Sequence, residues 1–150
     1  MIYVGIIICA IILDRIVKGV VTSSFDVGGT VSVVGDFFHI TYVQNRGIAF
    51  SMLEGHETLI VAATAALLVA ALIYILVFRR KYPPLFNTGV ALVCGGGLSN
   101  VIDRICYGYV VDMFDFGRFP VFNVADICIC VGCGLMLLYV IRSIKDDEEA

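Results

Sequence analysis

The run TLIVAATAALLVAALIYILVF, Thr58–Phe78, contains no charged residue. Crossing the hydrocarbon core of a bilayer takes about 20 mostly apolar residues in a helix. A helix is required because each unpaired backbone amide in lipid costs several kcal/mol. This run therefore predicts a transmembrane helix. The remainder of the chain leaves no room for a separate soluble domain. The 150 residues are 60% hydrophobic and only 15% charged, whereas a soluble domain averages about 45–50% apolar and about 25% charged. Residues 1–150 read as a single integral membrane domain.

Three less pure runs complete a set of four spans, at about 2–21, 85–107 and 124–144 beside 58–78. None alternates with the period of two that marks a membrane barrel. The apolar run Tyr3–Leu13 leads into Asp14 and Arg15 with no basic start and no small-residue cleavage pattern, so it reads as a retained helix and not a leader. Basic residues cluster between spans two and three (Arg79, Arg80, Lys81) and at the end of span four (Arg142, Lys145). By the positive-inside rule that side is cytoplasmic, and both termini share it. The outer segments are then about 22–57 and 108–123. The first alternates β-branched and aromatic runs with glycines, which predicts a small sheet.

Depth along the spans, at about 1.5 Å per residue, brings the polar residues to one level. Asp14 and Lys18 lie in the outer half of span one. Asn100, Asp103 and Arg104 lie near the outer end of span three, and Asp126 at the outer start of span four. Asp112 and Asp115 follow span three on the same side. Charges within a membrane are costly and point to function. The inner halves of the spans are apolar, which argues against a polar pathway through the membrane. A site reached from the outside or from the membrane plane fits better. A small proton- or ion-coupled transporter using the same acids is the alternative reading, and a non-catalytic assembly protein is a third.

Local spacing adds detail. Asp14 and Lys18 are four residues apart on one helix face, and Asn100, Asp103 and Arg104 share another. The glycines Gly95–Gly97 suit close helix packing. Asn123 is placed to cap span four, with Asp126 at its third position, where the helix dipole favours a carboxylate. Asp112 sits in apolar surroundings that favour its neutral form. Two such carboxylates brought together would form an aspartic-protease pair, one ionised and one protonated. His39 and His56 read as structural or surface residues and not as bases. Cys9, Cys94, Cys106, Cys128, Cys130 and Cys133 lack the spacing of a zinc site and read as small buried hydrophobes. A balanced charge outside the acidic tail gives no case for nucleic acid.

Five blocks in order now resemble a known family, the bacterial lipoprotein signal peptidases. They are DRIVK (14–18), YVQNRGIAFSML (42–53), GGGLSNVIDR (95–104), GYVVDMFDF (108–116) and FNVADICI (122–129). The resemblance implies an all-α membrane protein of four transmembrane helices, with a small extracytoplasmic β-sheet and an outer flap loop over the active site. It implies an aspartic endopeptidase of the bacterial cytoplasmic membrane. Such an enzyme cuts a prolipoprotein just before a diacylglyceryl-modified cysteine, uses no cofactor or metal, and is blocked by globomycin. It is expected to act as a monomer. Matched residue by residue, the family's catalytic acids fall on Asp112 and Asp126. Its supporting positions fall on Asp14, Lys18, Asn45, Gly47, Asn100, Asp103, Arg104 and Asn123. Ser99 stands where the family usually has glycine, and Ile127 where serine is common. Phe114, Phe116 and Phe119 are expected near the lipid headgroups.

Overall fold

The computed structural model describes residues 1–47, 57–78 and 80–148. His56, Arg79 and the second half of the 42–53 block lie outside them. Four helices dominate: α1 (Ile2–Ser24), α2 (Glu57–Phe78), α3 (Pro84–Tyr107) and α4 (Val124–Glu148). Of these, α3 and α4 are long and apolar enough to cross a bilayer. Leu67 and Val69 on α2, Ile12 and Ile16 on α1, and Leu137 and Ile141 on α4 are all exposed. So broad an apolar surface would drive association in water and suits a lipid environment.

Helix α3 is the central element and packs against the other three helices. Three consecutive glycines make this possible, because each faces a different neighbour. A Cβ at Gly95 would lie 2.7 Å from Ala10 Cβ on α1. One at Gly96 would lie 2.3 Å from Ala125 O on α4, and one at Gly97 would lie 2.8 Å from Leu68 Cδ2 on α2. The apolar core beneath them gathers Ile7, Leu68, Ile75, Val90, Ala91 and Cys94. At the opposite end of α3 the buried Asn87 accepts from Tyr74 Oη at 3.1 Å and donates to Tyr82 O at 2.9 Å. This closes the α2–α3 turn.

Strands β1 (Thr30–Val34), β2 (Phe38–Asn45) and β3 (Val110–Asp115) form one antiparallel sheet in the order β1-β2-β3. The first outer segment thus supplies the expected hairpin. The second departs from expectation. It was expected as a flap loop over 108–123, yet Val110–Asp115 forms the third strand, and Asp112 pairs with Val43. The alternating, β-branched sequence Val110, Val111, Asp112, Met113 favours this pairing once β2 offers a free edge. All four residues are buried. Beyond the strand, Phe122 bridges back to Phe114, with N···O distances of 2.8 and 3.1 Å.

The cysteines also depart from expectation. Only Cys94 is buried and Cys128 is half-buried; Cys9, Cys106, Cys130 and Cys133 are exposed. In a helix surrounded by lipid, outward positions are as apolar as the core, so hydrophobicity alone does not predict burial.

Candidate active site

Strand β3 and the first turn of α4 bring the two expected acids to one asparagine. Asn123 Nδ2 donates to Asp112 Oδ1 at 2.6 Å. The same side chain caps α4: Asn123 Oδ1 accepts from Asp126 N at 2.9 Å, and Asp126 Oδ2 accepts from Asn123 N at 3.1 Å. This reciprocal pair has the geometry of a capping box. It fixes Asp126 at the helix N-terminus, where the dipole supports a negative charge. Asn100 Nδ2 donates to the other oxygen, Asp126 Oδ1, at 2.9 Å. Asp112 Oδ2 receives Asn45 Nδ2 at 2.9 Å, and Gly47 N donates to Asn45 Oδ1 at 2.9 Å.

A buried ionic cluster stands behind this pair. The Lys18 ammonium reaches Asp14 Oδ2 at 2.7 Å, Asp103 Oδ2 at 2.6 Å and Asn100 Oδ1 at 3.0 Å. All three of its donors are therefore placed. Asp103 also binds the Arg15 guanidinium and lies 3.4 Å from Val111 N. Asp14 accepts from Ser99 Oγ at 2.6 Å and from Ala125 N at 2.9 Å. The cluster joins α1 to α3, to the start of α4 and to β3. Its formal charges cancel, since Asp14 and Asp103 face Lys18 and Arg15.

Asn100 and Asp103 share a face of α3 and both meet the Lys18 ammonium, but the three residues of this motif divide their contacts. Asn100 and Arg104 line a cavity beside the two acids, while Asp103 turns toward α1. Asp14, Lys18 and Asp103 lie behind the site and support it; Asn45, Asn100, Arg104, Asp112 and Asp126 line it. Arg104 Nη2 donates to Gly47 O at 2.7 Å, which ties α3 to the end of the β2 segment. The cavity has a volume of about 550 Å³. Its remaining walls are mostly apolar and include Phe119, Phe122, Ile127 and Ile129.

Burial is the main influence on Asp112, and it pushes the carboxyl up to about 7. The hydrogen bond from Asn45 opposes this, the negative charge of Asp126 adds to it, and Asn123 and Lys18 oppose it. At neutral pH the site thus holds a carboxyl that is readily protonated, beside a second acid held by amide donors. With Asp112 neutral, the Arg104 and Asp126 charges also balance. Such a pair can activate water with one member and polarise a carbonyl with the other.

Sequence reasoning missed part of the lining. Thr64 of α2 and Val110, Pro120 and Val121 belong to the cavity. Thr64 left a trace, as a hydroxyl residue within the apolar stretch Leu59–Ile73. Phe119 and Phe122 pack edge to face with centroids 5.9 Å apart. Phe122 also stacks on Phe116, with an interplanar angle of 7°. Asp115 stands apart from the acid pair. It accepts from Thr41 Oγ1 at 2.9 Å and from Gly117 N at 2.8 Å, so it shapes the turn that follows β3. His39 lies half-buried in β2, opposite Asp115.

The signal peptidase II family model matches residues 6–142. The chain belongs to that family. A lipoprotein signal peptidase of Halothermothrix orenii is 41% identical over 140 residues, covering 93% of this chain and 94% of its own length. One from Haemophilus influenzae strain Rd is 38% identical over 147 residues, covering 93% and 85%. Two solved bacterial membrane enzymes share the fold. The first has a TM-score of 0.91 at 26% identity, covering 99% of this chain and 92% of that one. The second has a TM-score of 0.84 at 27% identity, covering 93% and 92%. Family membership makes this chain a peptidase, and the membrane-enzyme fold accords with its apolar helices. Among the matched residues are both acids, the asparagine that joins them and the Lys18 cluster.

Proposed function

We propose that the chain is an intramembrane aspartic endopeptidase. It removes the signal peptide from a diacylglyceryl-modified prolipoprotein by cutting just before the lipidated cysteine. The observation that carries this reading is Asn123, which binds Asp112 through its side chain and caps the helix that presents Asp126. Asp126 takes a proton from the attacking water. Neutral Asp112 donates a hydrogen bond to the scissile carbonyl and stabilises the tetrahedral oxygen as charge develops. Asn45 and Asn100 hold the carboxylates in place, and Arg104 and Gly47 border the bound peptide. Asp14, Lys18 and Asp103 keep α1, α3 and α4 in register behind it.

In this reading all four helices cross the bacterial cytoplasmic membrane, with both termini in the cytoplasm. The sheet and the site lie at the outer face. The enzyme works as a monomer without a metal or organic cofactor, and globomycin occupies the cavity. The test is cleavage of a diacylglyceryl-modified precursor by purified protein. Asp112→Asn and Asp126→Asn should each lower the rate at least about 10³-fold while the variants insert and unfold like the wild type. Near-normal processing by either variant would remove the dyad assignment.

A further inference from the structure

Helix α2 is apolar through its central turns, yet it places Thr64 in the wall of the acid-lined cavity. Tyr74, another polar side chain of this helix, is occupied by Asn87 at the far end. Among the described residues that line the cavity, Thr64 contributes the one hydroxyl side chain. Its depth follows from helix pairing. Leu68 of α2 meets Gly97 of α3, and the two helices are sequential and antiparallel. Four residues toward the outside on α2 brings Thr64 level with Val101, next to Asn100. Asn100 is the residue whose amide holds Asp126. Thr64 therefore stands at the depth of the acid pair but on a different wall of the cavity. Beyond Asp126 the lining contributed by α4 is Ile127, Ile129, Cys130 and Val131, a surface suited to hydrocarbon.

We infer that Thr64 is a specificity-determining residue whose hydroxyl donates a hydrogen bond to a glyceryl ester carbonyl of the substrate lipid. This rests on the peptidase reading above. In that substrate the scissile carbonyl must sit at Asp112 and Asp126. The ester carbonyls are several bonds away, across the thioether, and lead directly into acyl chains. A polar group on another wall of the same cavity, beside an apolar α4 lining, matches that order of chemical groups. A hydroxyl in low-dielectric surroundings gives a useful preference, because leaving a buried carbonyl without its donor costs the substrate its lost hydration.

The test compares two synthetic precursors that differ only in the lipid, one with ester-linked chains and one with ether-linked chains. Each is cleaved by wild-type protein, Thr64→Val and Thr64→Ser in detergent–lipid micelles. Valine keeps the shape of threonine and removes the hydroxyl; serine retains the hydroxyl. Wild type should favour the ester substrate in kcat/KM by about five- to ten-fold, the scale of one neutral hydrogen bond. Thr64→Val should abolish that preference, through KM more than kcat, by losing more on the ester than on the ether substrate. Thr64→Ser should restore it. Equal losses on both substrates, or an unchanged preference in Thr64→Val, would overturn the assignment while leaving the peptidase reading intact. If wild-type protein cut neither substrate, the peptidase reading would fall and this inference with it.

Discussion

Replacing Lys18 with methionine tests whether the buried cluster is a single electrostatic unit. Lys18 is 3% exposed, and its ammonium is shared by Asp14, Asp103 and Asn100 at 2.7, 2.6 and 3.0 Å. Methionine has similar length and volume, so packing changes little while the charge disappears. Removing one partner from a buried ion pair typically costs about 3–5 kcal/mol, mainly because the other charge is left uncompensated. Here the stranded groups keep other donors. Asp14 retains Ser99 and Ala125 N, and Asp103 retains Arg15. The cost should therefore lie near the lower bound, at about 3 kcal/mol. Reversible unfolding in mixed detergent micelles, followed by far-UV circular dichroism, measures it. Adding Asp14→Asn removes the stranded charge, so the double variant should recover at least about 1 kcal/mol relative to Lys18→Met, within the range of coupling between contacting residues. A Lys18→Met variant within about 0.5 kcal/mol of wild type would refute the electrostatic account. So would strictly additive losses in the double variant.

Activity should fall as pH rises through about 7, because the proposed mechanism uses protonated Asp112 and burial places its titration there. The same shift has a stability sign. The folded-state value lies above the ordinary carboxyl value of 3.8, so its contribution is complete below about 3.8 and is lost as pH rises through about 7. Asn45→Ala removes a donor that favours charged Asp112, so the alkaline limb of kcat/KM should move to higher pH; a limb that stays fixed or moves down would contradict this. Gly96→Ala should lower stability by at least about 2 kcal/mol and cut activity sharply, because its Cβ would lie 2.3 Å from Ala125 O, a backbone atom in the first turn of α4. Gly19→Ala, whose Cβ would meet nothing within 4 Å, should be neutral or slightly stabilising on the same unfolding assay.

The site was legible in the sequence to the extent that it depends on local chemistry. Asn123 and Asp126 stand three residues apart, and a helix N-terminus beginning there requires little else to form their reciprocal bonds. Asp14 and Lys18 are likewise paired by helical spacing alone. The strand at 110–115 was not legible, because an isolated stretch of six residues becomes a strand only when a partner edge is available. The division of labour among Asn100, Asp103 and Arg104 was also hidden. Their spacing puts them on broadly one side of α3, but the positions of α1 and of the cavity decide which neighbour each one meets.

The sequence by itself determined the apolar character, the helices and which acids stand near the helix ends, since hydropathy, caps and short-range spacing act within a few residues. The tertiary structure decided how those pieces meet. It turned three glycines toward three different helices, satisfied Lys18 with partners more than 80 residues away, and joined Asp112 to Asp126 through Asn123. It also selected Thr64 from an apolar helix as part of the cavity wall. These outcomes depend on which surfaces close against each other, and packing in three dimensions settles that where local preference does not.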